Sequence, residues 1–390
     1  MAGSTSVTGM ENFGAFQDPI YAEGLLAKHS RYPFTFEDLE RRAGEVLDHE
    51  IFDYIRGGAG DETTQSRNVA ALRRYGFVPR MLRDRTARDL STTFLGRELP
   101  APIFLCPVGA NGMAYPDGDL ETARAAAALG IAAMYSTLSD APLEQIADAR
   151  GDSFAMFQLY PTRDDRLTDN LVRRADAAGF DALAITLDTG TLGWRPRDLT
   201  NAYIPFLRGR CLANYTSDPR FLELAGAENP APLHAGIVWS SLFSKPTFGW
   251  EDVARIRRLT DLPIVLKGIC HPDDARRAAA EGVDAVACSN HGGRQANGGL
   301  PAIGHLPDVI AASGLPVVFD SGIRDGVDVL RVLGLGATLA GIGRPYVYGL
   351  ALGGADGVAH VVRSLLAEAD LTMAADCFAR IADLQVVEAR

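Results

Sequence analysis

Residues 263–290 read PIVLKGICHPDDARRAAAEGVDAVACSN. An apolar run (PIVLK, 263–267) leads through a short loop into a helical stretch, Pro272–Glu281, and then into a second apolar run (AVACS, 285–289). Neither run alternates polar and apolar residues, which marks strands buried on both faces, as in a parallel sheet. Pro272 presets the backbone for a first helical turn, and Asp273 and Asp274 behind it suit the positive end of the helix dipole. Outward from this unit the same alternation recurs. Six further runs are IFLCP (103–107), AAMYS (132–136), FAMFQ (154–158), ALAITL (182–187), PVVFD (316–320) and LAGI (339–342). Helical stretches lie between them at Asp119–Leu129, Leu167–Ala178, Trp250–Leu259, Leu306–Ser313 and Gly326–Leu333. Eight strands alternating with helices predict a TIM (β/α)8 barrel. Strand starts fall 22 to 31 residues apart, except for 81 residues between the fourth and the fifth. That excess predicts a long loop insertion after strand four, about 197–249, of the kind that acts as a lid or a binding element.

The rest of the chain frames this barrel. Residues 1–98 read as an N-terminal helical segment packed on it, with helices at Phe36–Asp48 and Ile51–Arg56 and a glycine turn, GGAGDE (57–62). Residues 99–390 read as the barrel, closed by a tail helix at Asp356–Ala369 with Asp356 as its N-cap. The 390 residues carry 38 basic and 49 acidic side chains, a net charge of −11, which argues against a nucleic-acid partner. Five scattered cysteines without a CxxC pair fit a reducing compartment, and the expected location is cytoplasmic. Met1–Ile20 lacks the basic and apolar blocks of a signal peptide. Val332–Ala355, the least charged long stretch, is broken by Arg344 and by glycines, so no membrane span is expected. No metal site is expected either.

On this fold, chemistry sits at strand C-termini and in the loops that follow. Strand one is followed by Pro107, Val108 and Gly109. Strand two ends in Ser136, strand three in Gln158 with Tyr160 beyond, and strand four carries Thr186 and then Asp188, with Arg195 seven residues on. Lys267 ends strand five, and SNHGGRQ (289–295) follows strand six. Strand seven ends in Asp320, Gly322 and Arg324; Gly343 and Arg344 follow strand eight. Glycines with one arginine in each of the last two loops suit a phosphate, because the backbone can approach it and guanidinium binds it in a fork. His291 beside Asp188, with Arg195 and Arg294 on the same rim, reads as an acid–base site for an anionic substrate. Lys267 reads either as a Schiff-base lysine or as a fixed cation near a cofactor. Tyr54 and Tyr160 are further candidates.

SNHGGRQ resembles the FMN-dependent α-hydroxy-acid oxidising family. The resemblance runs through FDYIRGGAGDE (52–62), FQLY (157–160), AITLDT (184–189), LKGI (266–269), FDSGIR (319–324) and GIGRP (341–345). Within the family, GWRPRDL (193–199), PFLRG (205–209), NYTSDP (214–219) and SNHGGRQANGGLPA (289–302) are most similar to the lactate 2-monooxygenase branch. The resemblance implies that His291 is the base, that Asp188 holds its imidazole, and that Arg195, Arg294 and Tyr54 bind the substrate carboxylate. It implies that Tyr160 contacts the substrate hydroxyl side and that Lys267 stabilises the reduced flavin. FMN would lie along Pro107, Val108, Gly109, Ser136, Gln158 and Thr186, with its phosphate at Asp320, Gly322, Arg324, Gly343 and Arg344. Gly109 stands where many oxidases of the family carry alanine, and the missing methyl is expected to leave space close to the flavin. Leu138 stands where glycolate oxidase has a bulky aromatic, implying a different side-chain pocket. The implied reaction is oxidation of a small L-2-hydroxy acid, L-lactate, with O2 as acceptor and decarboxylation to acetate, CO2 and water. The same-family alternatives are an oxidase releasing H2O2 and a dehydrogenase with another acceptor; a phosphate-binding isomerase or aldolase is more remote. A homo-oligomer, tetramer or octamer, is implied as well.

Overall fold

The computed structural model describes residues 12–389. The part of Met1–Ile20 before residue 12, with its reading as no signal peptide, lies outside the described residues. Eight parallel strands close into a barrel: β1 (Ile103–Leu105), β2 (Ala132–Ser136), β3 (Ala155–Leu159), β4 (Ala182–Thr186), β5 (Ile264–Lys267), β6 (Ala285–Cys288), β7 (Val317–Phe319) and β8 (Leu339–Ile342). Every residue in these strands is buried, as unbroken apolar runs demand of strands covered on both faces. Phe104, Met134, Met156, Val265 and Val318 fill the interior, while Ile103, Tyr135, Phe157, Ile185 and Leu266 face the surrounding helices. The bottom is stoppered by a hairpin, Thr92–Phe94 with Arg97–Leu99, whose Phe94 ring meets Phe154 edge-on at 5.6 Å. The register sets Ser136 beside Gln158 and Thr186 beside Lys267, so the strand ends bring these side chains to one rim.

The N-terminal helices include Phe36–Val46 and His49–Arg56, with unpredicted ones at Gln17–Gly24 and Thr63–Leu72. The tail differs from expectation. It is one helical run, Arg344–Asp376, broken at Gly353–Gly354, where Gly354 takes φ 58°. Asp356 lies in the turn after the break and does not cap it. The free amide of Ala355 is met by the Glu121 carboxylate at 3.0 Å, which takes the capping role from a neighbouring helix. By length and composition alone this helix could cross a membrane, but 61% of its apolar window is buried inside the protein.

The insertion after β4 also departs from a simple loop. It carries helices at Pro196–Thr200, Ala213–Thr216, Pro219–Ala225 and Pro232–Leu242. Asn214 staples it to the rim: its side chain accepts from the Leu143 amide at 2.7 Å and donates to the Thr137 carbonyl at 2.9 Å. Two glycines set its internal seam. A Cβ on Gly209 would lie 2.2 Å from the Pro232 carbonyl oxygen, and one on Gly236 2.3 Å from that of Leu207. Only glycine lets these segments approach so closely.

Candidate active site

The C-terminal ends of the strands and the insertion enclose a cavity with ≈ 1110 Å³ of open space. At its floor Lys267 is 3% exposed, and its Nζ donates to Ser289 Oγ at 3.0 Å. The same ammonium faces two carboxylates, Asp320 at 3.4 Å and Asp188 at 3.8 Å. Burial disfavours its charge, but the fields of Asp320 and Asp188 outweigh burial and raise its pKa above the ordinary lysine value. A Schiff-base lysine must be a neutral amine, so this environment favours the fixed cation.

His291 opens a tight turn after β6 with φ 57°, a left-handed backbone that side chains seldom adopt and that clusters at functional sites. Its amide donates to Ser289 Oγ at 3.0 Å, and the Gly292 amide to Ser321 Oγ at 2.9 Å. These two hydroxyls hold the strained turn. His291 Nδ1 lies 2.8 Å from Asp188 Oδ1, while Thr189 Oγ1 donates to that same oxygen at 3.1 Å. With Nδ1–H donated to the carboxylate, Nε2 keeps its lone pair for the cavity. Burial lowers the pKa of His291 against the opposing pull of Asp188. Burial works to raise the pKa of the partly buried Asp188, yet His291 and Lys267 hold it down to about 2. At neutral pH the pair is therefore a neutral imidazole on an ionised carboxylate.

Above the floor the cavity is rich in guanidiniums. Arg195 and Arg294 lie over the Tyr54 ring, at 5.5 and 5.2 Å from its centre. Arg195 is paired with Asp198 at 3.2 Å. Among the described residues Arg294 and Arg344 make no ion pair; both donate to the backbone carbonyls of Ile55 and Gly57, the free end of the helix His49–Arg56. Burial first, and then neighbouring guanidiniums, lower both to about 10. Arg324 is half-buried, with its guanidinium 4.2 Å from the Phe36 ring centre. Half-buried cations with no carboxylate partner among the described residues mark a place for anions.

Most residues singled out in the sequence converge here: Pro107, Val108, Gly109, Tyr54, Tyr160, Arg195, Lys267, His291, Arg294, Asp320, Gly322, Arg324, Gly343 and Arg344 all line the cavity. Asp188 stands behind His291. Ser136, Gln158 and Thr186 form a buried row across β2, β3 and β4: Ser136 Oγ to Gln158 at 3.0 Å, Gln158 Nε2 to Thr186 Oγ1 at 2.9 Å. Two expectations change. Asp320 does not turn to the Arg324 and Arg344 end; Lys267, Ser289 and Ser321 engage its carboxylate, which would repel a phosphate. The space expected beside Gly109 is taken, since a Cβ there would lie 2.8 Å from Leu138 Cβ.

Several site residues were not singled out in the sequence. Ser289 and Ser321 lie inside quoted motifs, as does Asp198, but nothing in one chain marks a serine as a turn support. Phe206, Trp239 and Phe243 come from the insertion and line the same cavity. No local spacing ties them to strand ends, because the contact is made only once the insertion has folded.

The flavin end passes a test of fit. Arg324 and Arg344 are half-buried cations with no ion pair among the described residues, a Cβ at Gly343 would meet open space, and Gly322 holds φ 107° with no room for a side chain. A phosphate among backbone amides and two guanidiniums suits that donor set.

The chain is similar to known proteins. The sequence profile of a family described as FMN-dependent dehydrogenase matches residues 43–388. The chain is 38% identical over 351 residues to an L-lactate oxidase of Lysinibacillus sphaericus, covering 90% of each chain. It is 39% identical to human 2-hydroxyacid oxidase 1, covering 86% of this chain and 91% of that one. A mandelate oxidase solved with (S)-4-hydroxymandelic acid superposes with a TM-score of 0.82 at 36% identity, covering 91% of this chain and 99% of that one.

Proposed function

The chain belongs to the FMN-dependent family of 2-hydroxy-acid oxidases and dehydrogenases, and from that premise we propose that it oxidises small L-2-hydroxy acids, L-lactate among them, with O2 as acceptor. The observation that carries this reading is one cavity lined both by His291, whose Nδ1 lies 2.8 Å from the Asp188 carboxylate, and by a half-buried guanidinium, Arg294, with no acidic partner among the described residues.

Arg294 and Arg195, with Tyr54, bind the substrate carboxylate, and Tyr160 contacts its hydroxyl. His291 Nε2 takes a proton from the reacting carbinol as two electrons leave Cα, and Asp188 stabilises the imidazolium so formed. Lys267 keeps a fixed positive charge at the end of β5, where negative charge builds during the reaction. FMN, when bound, would supply the two-electron acceptor that O2 reoxidises. Pro107, Val108, Gly109, Ser136, Gln158, Thr186 and Lys267 would hold its ring, and Gly322, Arg324, Gly343 and Arg344 its phosphate.

The finer half of the proposal concerns the products. The 2-oxo acid and H2O2 stay together beneath the insertion and react, so that pyruvate and H2O2 become acetate, CO2 and water. Confinement of two reactants raises their effective concentration steeply, and slow release favours it. A second reading, an oxidase releasing pyruvate and H2O2, is favoured by the filled space at Gly109 and by relatives named as oxidases. Product analysis of the flavin-loaded protein with L-lactate under air separates the two: acetate with little free H2O2 supports decarboxylation, and stoichiometric H2O2 with pyruvate supports the oxidase.

A further inference from the structure

The insertion does more to the cavity than cover it. Phe206 meets the Tyr54 ring edge-on at 5.9 Å and Trp239 at 5.1 Å; Trp239 meets Phe243 at 4.7 Å, and Phe243 meets Tyr160 at 5.3 Å. These contacts form an unbroken aromatic arc from the tyrosine beneath the arginine pair to the tyrosine at the end of β3. Phe206 and Trp239 are each 4% exposed, so the arc is packed and not a set of loose rings. Leu138, also 4% exposed, extends the apolar surface toward Gly109.

A substrate Cα has four substituents. In the reading above, the carboxylate goes to Arg195, Arg294 and Tyr54, the hydroxyl faces Tyr160 and His291, and the hydrogen on Cα is lost in the oxidation. The fourth, the side chain, is left to the remaining wall, and that wall is this arc. We infer that the insertion is the side-chain specificity element, and that the arc selects 2-hydroxy acids with a large apolar or aryl side chain over lactate, whose methyl leaves most of it uncontacted. This rests on the proposed oxidation of 2-hydroxy acids and names the preferred member of that class. A close-fitting apolar wall discriminates by roughly 10- to 200-fold for each methylene-sized step.

The test uses the flavin-loaded enzyme with L-lactate, L-2-hydroxy-4-methylpentanoate, (S)-mandelate and L-3-phenyllactate. At least one of the three larger acids should exceed lactate in kcat/KM for anaerobic flavin reduction by about tenfold or more. Calorimetry with unreactive acids gives a second readout: phenylacetate should bind about tenfold or more tightly than propanoate. Trp239→Ala and the gentler Trp239→Leu should each narrow both ratios, with flavin absorbance reporting that the fold is kept. Lactate equal to or better than every larger acid, or propanoate binding as tightly as phenylacetate, overturns the inference. Ratios that survive both substitutions with the flavin still bound also overturn it. Failure of every 2-hydroxy acid to reduce the flavin contradicts instead the underlying oxidation, so the two failures are distinct.

Discussion

Two regions face each other across the cavity, and they are built on different terms. The floor is made of strand ends: Asp188 after β4, Lys267 at the end of β5, Ser289 after β6 and Asp320 after β7. Their side chains are joined by short polar contacts, with Lys267 bonded to Ser289 at 3.0 Å and Ser289 to Asp320 at 2.6 Å. The roof is made of the insertion, held by ring contacts and by two glycine-mediated approaches, Gly209 to Pro232 and Gly236 to Leu207. A polar floor fixed by directional bonds holds charge and protons in place, since buried networks of this kind are rigid when satisfied. An apolar roof fixed by packing excludes water and sets shape. The difference suggests a division of labour under the proposed function: the floor would set whether oxidation happens, and the roof what is oxidised and what leaves.

The sharpest way to break that division is at the floor. His291→Ala should slow anaerobic reduction of the flavin by L-lactate by ~10²–10⁴-fold, the usual worth of a positioned base. FMN should stay bound, because the proposed phosphate site lies at Arg324 and Arg344. Reduction at the wild-type rate, followed by stopped-flow absorbance, would remove His291 from its role.

Arg294→Met comes next. Losing one partner of a desolvated charge pair costs about 2–5 kcal/mol, which is a rise of about 30-fold or more in the lactate concentration for half-maximal reduction. FMN affinity should change little. An unchanged half-saturation would place the carboxylate elsewhere.

Much of the floor was legible in the sequence, because a parallel barrel converts strand boundaries into positions. Once PIVLK ends at Lys267 and AVACS leads into His291, the two must share a rim, and all eight apolar runs became the eight strands. Asp320 was placed on that rim but with the wrong neighbour: which way a strand-end carboxylate turns depends on Lys267, two strands away. The roof was legible only as length. Its helices are short, and its rings reach Tyr54 and Tyr160 through contacts that chain spacing does not encode. Gly109 is a further instance, since a missing methyl leaves a gap only if no neighbour fills it, and Leu138 does.

The pH dependence sharpens the account of the floor. Burial lowers the pKa of His291 below the ordinary histidine value, and the proposed base would work in its neutral form. Reduction should therefore be full above that lowered pKa and fall as pH drops through it, by about tenfold per unit on the acid limb, with a midpoint below about 6.5. Asp188→Asn removes the charge that supports protonated His291, so the midpoint should move lower still and the maximal rate should fall. A midpoint above about 6.5 in the wild type would contradict the neutral, desolvated imidazole.

The smallest expected effect tests the roof alone. A methyl on Gly236 would press on the Leu207 carbonyl and loosen the seam without touching a floor residue. Gly236→Ala should raise the ratio of released pyruvate to acetate by about three- to tenfold, equivalent to about 0.6–1.4 kcal/mol. Anaerobic flavin reduction should change less than that ratio. A larger loss of reduction than of acetate would show that roof and floor are not separable.

The central claim is tested most directly by mixing the flavin-loaded protein with L-lactate in the absence of oxygen and following the flavin absorbance near its visible maximum. The account predicts full bleaching with L-lactate, none with D-lactate, and return of the absorbance when air is admitted. A flavin that stays oxidised with L-lactate and with every larger L-2-hydroxy acid would contradict it.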